Sequence, residues 1–267
     1  MNIKKMTAFA SVAICAAVAF GDGIVSSNIA GVQNVTVASG YNIFTPTFKD
    51  LAAGTTFDLT DIEPLHQDGD EFGTSGSRRC NGVIEVNKIN SLGNYTTAYA
   101  YFTLANKLGW YTNDGTKVNP GEVLLNNGEA ILVNNQYKGQ PVIFRVSGEV
   151  DFICINNIPS GYALYGNSTP VTINLSDIVM LHQDGEEFGT SGSRRCNGVI
   201  EINKISSVGN YTTAYAYFTL ANKLGWYTND GTKIEGDAVT FMPGEAFLIN
   251  NQYKGQPVLI KLPTPIK

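Results

Sequence analysis

Leu65–Lys117 reads LHQDGDEFGTSGSRRCNGVIEVNKINSLGNYTTAYAYFTLANKLGWYTNDGTK, and Leu181–Lys233 repeats it with four changes in 53 positions. The changes are Asp70/Glu186, Val86/Ile202, Asn90/Ser206 and Leu92/Val208, at a constant offset of 116 residues. All four are mild. The chain is therefore two copies of one unit, and the fold of that unit is the fold of the protein.

Inside the block the hydrophobic period is that of strands. Val83–Asn87 alternates apolar and polar, with Glu85 on the polar face. Tyr95–Leu104 (YTTAYAYFTL) is rich in β-branched and aromatic residues, and bulk on both faces predicts a strand near the centre of a sheet. Ala105–Leu108 is expected to form a single helical turn. Trp110–Thr112 and Thr116–Val118 flank Asn113-Asp114-Gly115, and Asp-Gly supplies the positive φ of a tight hairpin turn.

Working outward, Val35–Ala38 and Tyr41–Thr45 alternate around Ser39-Gly40 and are expected to pair as a hairpin. Their counterpart, Ser160–Tyr165, is offset by 121 residues, so a loop between this pair and the shared block differs by five residues. Phe57–Thr60, Val171–Leu175, Glu129–Asn134 and Val142–Val146 also alternate as strands. This amounts to about eight short strands per copy, the spacing of sandwiches and barrels. No recurring amphipathic helix separates them, which excludes a parallel α/β sheet. The expected fold class is all-β: two tandem homologous antiparallel β-sandwich or barrel-like domains, 20–148 and 149–267, behind a signal peptide at 1–19.

That leader has Lys4 and Lys5, an apolar run over Met6–Phe20 and an Ala17-Val18-Ala19 cleavage site. The run is shorter than the roughly 20 residues a spanning helix needs, and no other stretch is long and apolar enough. The expected location is extracellular, cell-surface or periplasmic, with no membrane span in the mature chain. Cleavage removes two lysines and no acid, taking the formal charge from −5 to −7. That balance argues against nucleic acid as a partner. A hydrophobic fraction of 43% indicates a packed globule rather than disorder, and 15% charged residues with abundant Asn, Thr, Tyr and Gly suits strands joined by polar turns. Cys80, Cys154 and Cys196 survive cleavage; an odd count leaves at least one thiol unpaired within the chain, and small buried thiols are the expected state.

The segments SGYALYGNSTPVTINLSDI (160–178), LGWYTNDGTKI (224–234) and MPGEAFLINN (242–251) resemble a loosely defined group of exported bacterial tandem-repeat β-domain proteins of unknown function. The resemblance implies export and a tandem β-architecture, and carries no site residues.

Three clusters are candidates for function. Asp68, Asp70 and Glu71, with Asp184, Glu186 and Glu187, crowd carboxylates beside glycine as at the opening of a calcium loop; the competing reading is a solvated turn. No other cofactor is implied. Gly73–Arg79 superficially resembles a phosphate cradle but lacks the ending of a P-loop, so Arg78 and Arg79 are expected to pair with nearby acids. Among the aromatics Tyr95, Tyr99, Tyr101, Phe102, Trp110 and Tyr111, the pair Trp110 and Tyr111, with Trp226 and Tyr227, would stack on sugar rings; the alternative is that they fill the core. Only His66 and His182 are histidines, and no nucleophile elbow or zinc motif occurs. The expected function is an exported structural or adhesive envelope protein without catalytic activity. Its partners would be cell-surface components or polysaccharide, with self-association. A bivalent carbohydrate-binding protein is the alternative, and a secreted hydrolase the third.

Overall fold

The computed structural model describes residues 30–49, 56–89, 95–150, 155–207 and 210–264. The leader expected at 1–19 and Cys154 lie outside them. Strands and short 3-10 turns make up the regular structure, and every strand pairing is antiparallel, so the protein is all-β.

The first half contributes β1 (Ala30–Val37), β2 (Gly40–Phe44), β3 (Thr56–Asp58), β4 (Glu63–Leu65), β5 (Asn81–Ile89), β6 (Tyr95–Leu104), β7 (Lys107–Thr112), β8 (Leu124–Asn126), β9 (Ile131–Asn135) and β10 (Val142–Glu149). The second contributes β11 (Ile155–Ile158), β12 (Gly161–Gly166), β13 (Ile173–Asn174), β14 (Val179–Leu181), β15 (Asn197–Ser207), β16 (Asn210–Leu220), β17 (Lys223–Thr228), β18 (Thr240–Phe241), β19 (Ala246–Asn251) and β20 (Val258–Lys261). Each half builds the same three sheets. The orders are β2-β9-β5-β6-β7, β1-β10-β4 and β3-β8 in one, and β12-β19-β15-β16-β17, β11-β20-β14 and β13-β18 in the other. One apolar cluster forms within 37–150 and a second within 158–262.

β1 and β2 do not pair as a hairpin. β1 joins β10 and β2 joins β9, in different sheets. The link between them is a corner held by the buried Asn135, whose Nδ2 donates to Val37 O, Ala38 O and Gln140 O. Asn251 holds the same corner in the second half. A helical turn over Ala105–Leu108 is also absent. Ala105-Asn106 is the two-residue turn of the β6–β7 hairpin, with Leu104 opposite Lys107. The Asn113-Asp114-Gly115 turn forms as expected: Val118 N–H donates to Trp110 O at 2.9 Å and Thr112 N–H to Thr116 O at 2.9 Å.

β6 lies inside its sheet, between β5 and β7. β5 carries a register shift between Asn81 and Glu85, and Gly82 sits at φ +73° within it. A Cβ there would lie 2.6 Å from Phe102 Cζ, so glycine lets the ring lie flat across the neighbouring backbone.

Candidate functional site: a tyrosine-flanked row on the open sheet face

Alternation sends every second residue of each strand to the same side of the sheet, and directly opposed residues share a face. In the five-stranded sheet, Ile84, Val86, Trp110, Ile131 and Val133 point into the core, with 0–2% of their surface exposed. The opposite face is exposed at its β2 edge, half-buried over β5, β6 and β7, and covered at β9, where Asn134 is 5% exposed. One line of opposed residues crosses all five strands. Tyr41 on β2 faces Asn134 on β9, Asn134 faces Glu85 on β5, Glu85 faces Ala100 on β6, and Ala100 faces Tyr111 on β7. The second half carries the same line: Tyr162, Asn250, Glu201, Ala216 and Tyr227.

Four strand-to-strand steps separate the end tyrosines, a span of about 19 Å. Tyr41 and Tyr162 are each 51% exposed. Between them Asn134 Nδ2 donates to Glu85 Oε2 at 3.3 Å, and Asn250 to Glu201 at the same distance. Asn134 and Asn250 are themselves buried, so the amide fixes the half-buried carboxylate, which is the acceptor the row offers. Ala100, beside Ala98, leaves a shallow floor between Glu85 and Tyr111. At the far end Tyr111 meets Phe102 edge to face, with ring centroids 5.6 Å apart. Lys107 Nζ lies over both rings, 3.7 Å from the centroid of Phe102 and 4.6 Å from that of Tyr111. Phe218, Tyr227 and Lys223 repeat the arrangement.

The tryptophans do not belong to this face. Trp110 and Trp226 are 2% and 1% exposed, and their indole N–H groups donate to Ile62 O at 3.0 Å and Ile178 O at 2.8 Å. Both the ring surface and the polar edge are used inside the core, so stacking of these tryptophans on sugars is ruled out. Tyr111 and Tyr227 do reach the open face. Tyr99 and Tyr101 pack against the core, and the side chain of Tyr95 is outside the described residues. The residues missed by sequence reasoning are Tyr41, Tyr162, Asn134 and Asn250. Two signals pointed to them: Ser-Gly-Tyr recurs at 39–41 and 160–162, and NNQYKGQPV recurs at 134–142 and 250–258.

The acidic loop is organised by an internal cation. Arg78 pairs with Asp68 and, at 3.0 Å, with Asp70, the pairing expected of it, at the carboxylates that the calcium reading would have used. Arg194 holds Asp184 likewise. Partial desolvation of Asp68 works upward, but the Asp70 N–H, His66 and the Arg78 charge outweigh it and hold this carboxyl below its ordinary range. Glu71 meets Leu65 through a backbone bridge, as Glu187 meets Leu181. Glu186 donates its N–H to Asp184 Oδ1. No three His, Cys, Asp or Glu side chains among the described residues converge as a metal site. The loop is then tied to the body: Tyr137 Oη donates to Ser77 O at 3.1 Å, and Thr103 Oγ1 to Gly73 O at 2.8 Å. Cys80 and Cys196 are buried and unbridged, and burial pushes each thiol up to about 11.

No helix of the described residues is long and apolar enough to cross a membrane. In comparisons with known proteins, no family model, curated protein or solved structure matches this chain.

Proposed function

We propose that this is an exported, non-catalytic adhesive protein of the cell surface or envelope that binds polysaccharide at the two tyrosine rows. The observation that carries the reading is the line Tyr41–Asn134–Glu85–Ala100–Tyr111 and its copy in the second half. Sugar rings have apolar faces and hydroxyl rims. The exposed ring of Tyr41 or Tyr162 suits the first, and the carboxylate of Glu85 or Glu201, held by its neighbouring amide, suits the second. The small Ala100 leaves room for a ring to approach the backbone. Each row has a single carboxylate, whereas glycoside cleavage ordinarily takes a pair, and this favours binding over hydrolysis. Export rests on the leader at 1–19.

The test is calorimetric titration of the mature protein with soluble β-glucan, mannan, xylan and chitin oligosaccharides. Saturable binding that falls at least tenfold in Tyr41→Ala/Tyr162→Ala and in Glu85→Gln/Glu201→Gln is the expected result. Binding unchanged by both double variants, or none to any of the four, overturns the reading.

A further inference from the structure

Two of the hydrogen bonds between the halves are reciprocal, beside an Ala130 N–H to Leu164 O bond at 3.3 Å. Thr45 N–H donates to Gly244 O at 3.2 Å, and Gly166 N–H donates to Gly128 O at 3.0 Å. At the offsets of 121 and 116 residues, Thr45 corresponds to Gly166 and Gly244 to Gly128. Each bond is thus the other with the halves exchanged. The rings follow suit. Tyr165 lies over Gly128 and its counterpart Phe44 over Gly244, 2.8 Å and 3.6 Å from where a Cβ would stand. A contact in which i meets j and j meets i is the signature of a twofold relation. The junction is closely packed: Thr45, Asn167 and Thr169 are fully buried.

A polysaccharide chain is directional, because its two ends differ chemically. Unless it lies on the axis itself, a straight directional chain is not carried onto itself by a twofold. If the chain runs across the axis, the second row meets it with reversed polarity. If it runs parallel to the axis, the second row lies across the axis and takes a second, parallel chain. One straight chain therefore fills one row and leaves the other vacant. We propose that the protein cross-links polysaccharide, each row holding a separate chain. This rests on the polysaccharide reading of the rows. It also commits the duplication to a use: two sites that one straight chain cannot share favour bridging over tighter grip on a single chain.

The experiment uses the full mature chain with a soluble polysaccharide that it binds and a hexasaccharide of the same linkage. Calorimetry with the hexasaccharide should give two sites per protein. Light scattering with the polymer should rise and fall as protein is added, peaking where each protein joins two chains. Tyr162→Ala/Glu201→Gln should keep one hexasaccharide site and lose the scattering peak. Two hexasaccharide sites without scattering at any ratio, and a polymer bound about a hundredfold tighter than the hexasaccharide, would mean that one chain spans both rows. That outcome overturns bridging and leaves polysaccharide binding standing. Absence of binding by hexasaccharide and polymer alike overturns the row itself.

Discussion

The ring of Tyr165 lies across the Cα of Gly128, so that a Cβ on Gly128 would stand 2.8 Å from both Cδ1 and Cε1. Tyr165 is only 8% exposed, and its hydroxyl donates to Asn157 O at 3.1 Å, so the ring is held in place. Gly128 also sits at φ +78°. This close approach between the halves therefore depends on a residue without a side chain.

Gly128→Ala should destabilise the protein by about 3 kcal/mol, combining left-handed backbone strain with overpacking against a fixed ring. Gly115→Ala is the control. Gly115 has φ +87° with nothing within 4 Å of the added Cβ, and should cost only about 1 kcal/mol. Urea unfolding of both variants measures the difference; equal costs would mean that the ring moves aside freely.

Tryptophan emission should be blue-shifted in the native protein and unmoved by any polysaccharide that binds, because Trp110 and Trp226 are core residues. Trp110→Phe should cost about 3 kcal/mol, from a cavity and from the Ile62 carbonyl left without its indole donor. Red-shifted emission, or a saturable shift on glycan addition, would contradict this placement.

How far the sequence could be read depends on whether a feature is local. The period-two strands and the Asp114-Gly115 turn are local and are found where expected. Pairing partners are not local. Val35–Ala38 and Tyr41–Thr45 have the pattern of a hairpin, yet Asn135, almost a hundred residues away, turns the chain between them into a corner. Alternation also shows that Trp110 and Tyr111 face opposite ways without showing which of them meets solvent. The row needed the strand order as well, since Tyr41, Asn134 and Glu85 become neighbours only when β9 inserts between β2 and β5.

The thiols give a prediction on the alkaline side. Burial raises Cys80 and Cys196 from 9.0 to about 11 in the folded protein. Above pH 9 the unfolded chain releases these protons while the folded one keeps them, so unfolding is favoured as the pH rises. The urea midpoint should decline between pH 9 and 10, below the range where the raised Tyr101 and Tyr217 contribute. Cys80→Ala/Cys196→Ala should decline less steeply. Parallel slopes would assign the loss to other groups.

The hairpin turns give the opposite dependence on the acid side. Asp114 accepts from Thr112 Oγ1 and from Thr116 N at 3.0 Å, and Asp230 accepts from Thr228 Oγ1 and Thr232 N in the same way. These bonds favour the ionised carboxylates and hold both below the ordinary value of 3.8. Each therefore adds stability that is present above pH 3.8 and lost as the pH falls through the lowered folded value. In Asp114→Asn/Asp230→Asn the amide oxygen still accepts, but without charge. The variant should melt below the parent at pH 7, and the gap should narrow below pH 3.8 as the parent's carboxylates take up protons. Melting curves by circular dichroism across that range decide it; a gap that stays constant with pH would show that the turns depend on the shape of the side chain and not on its charge.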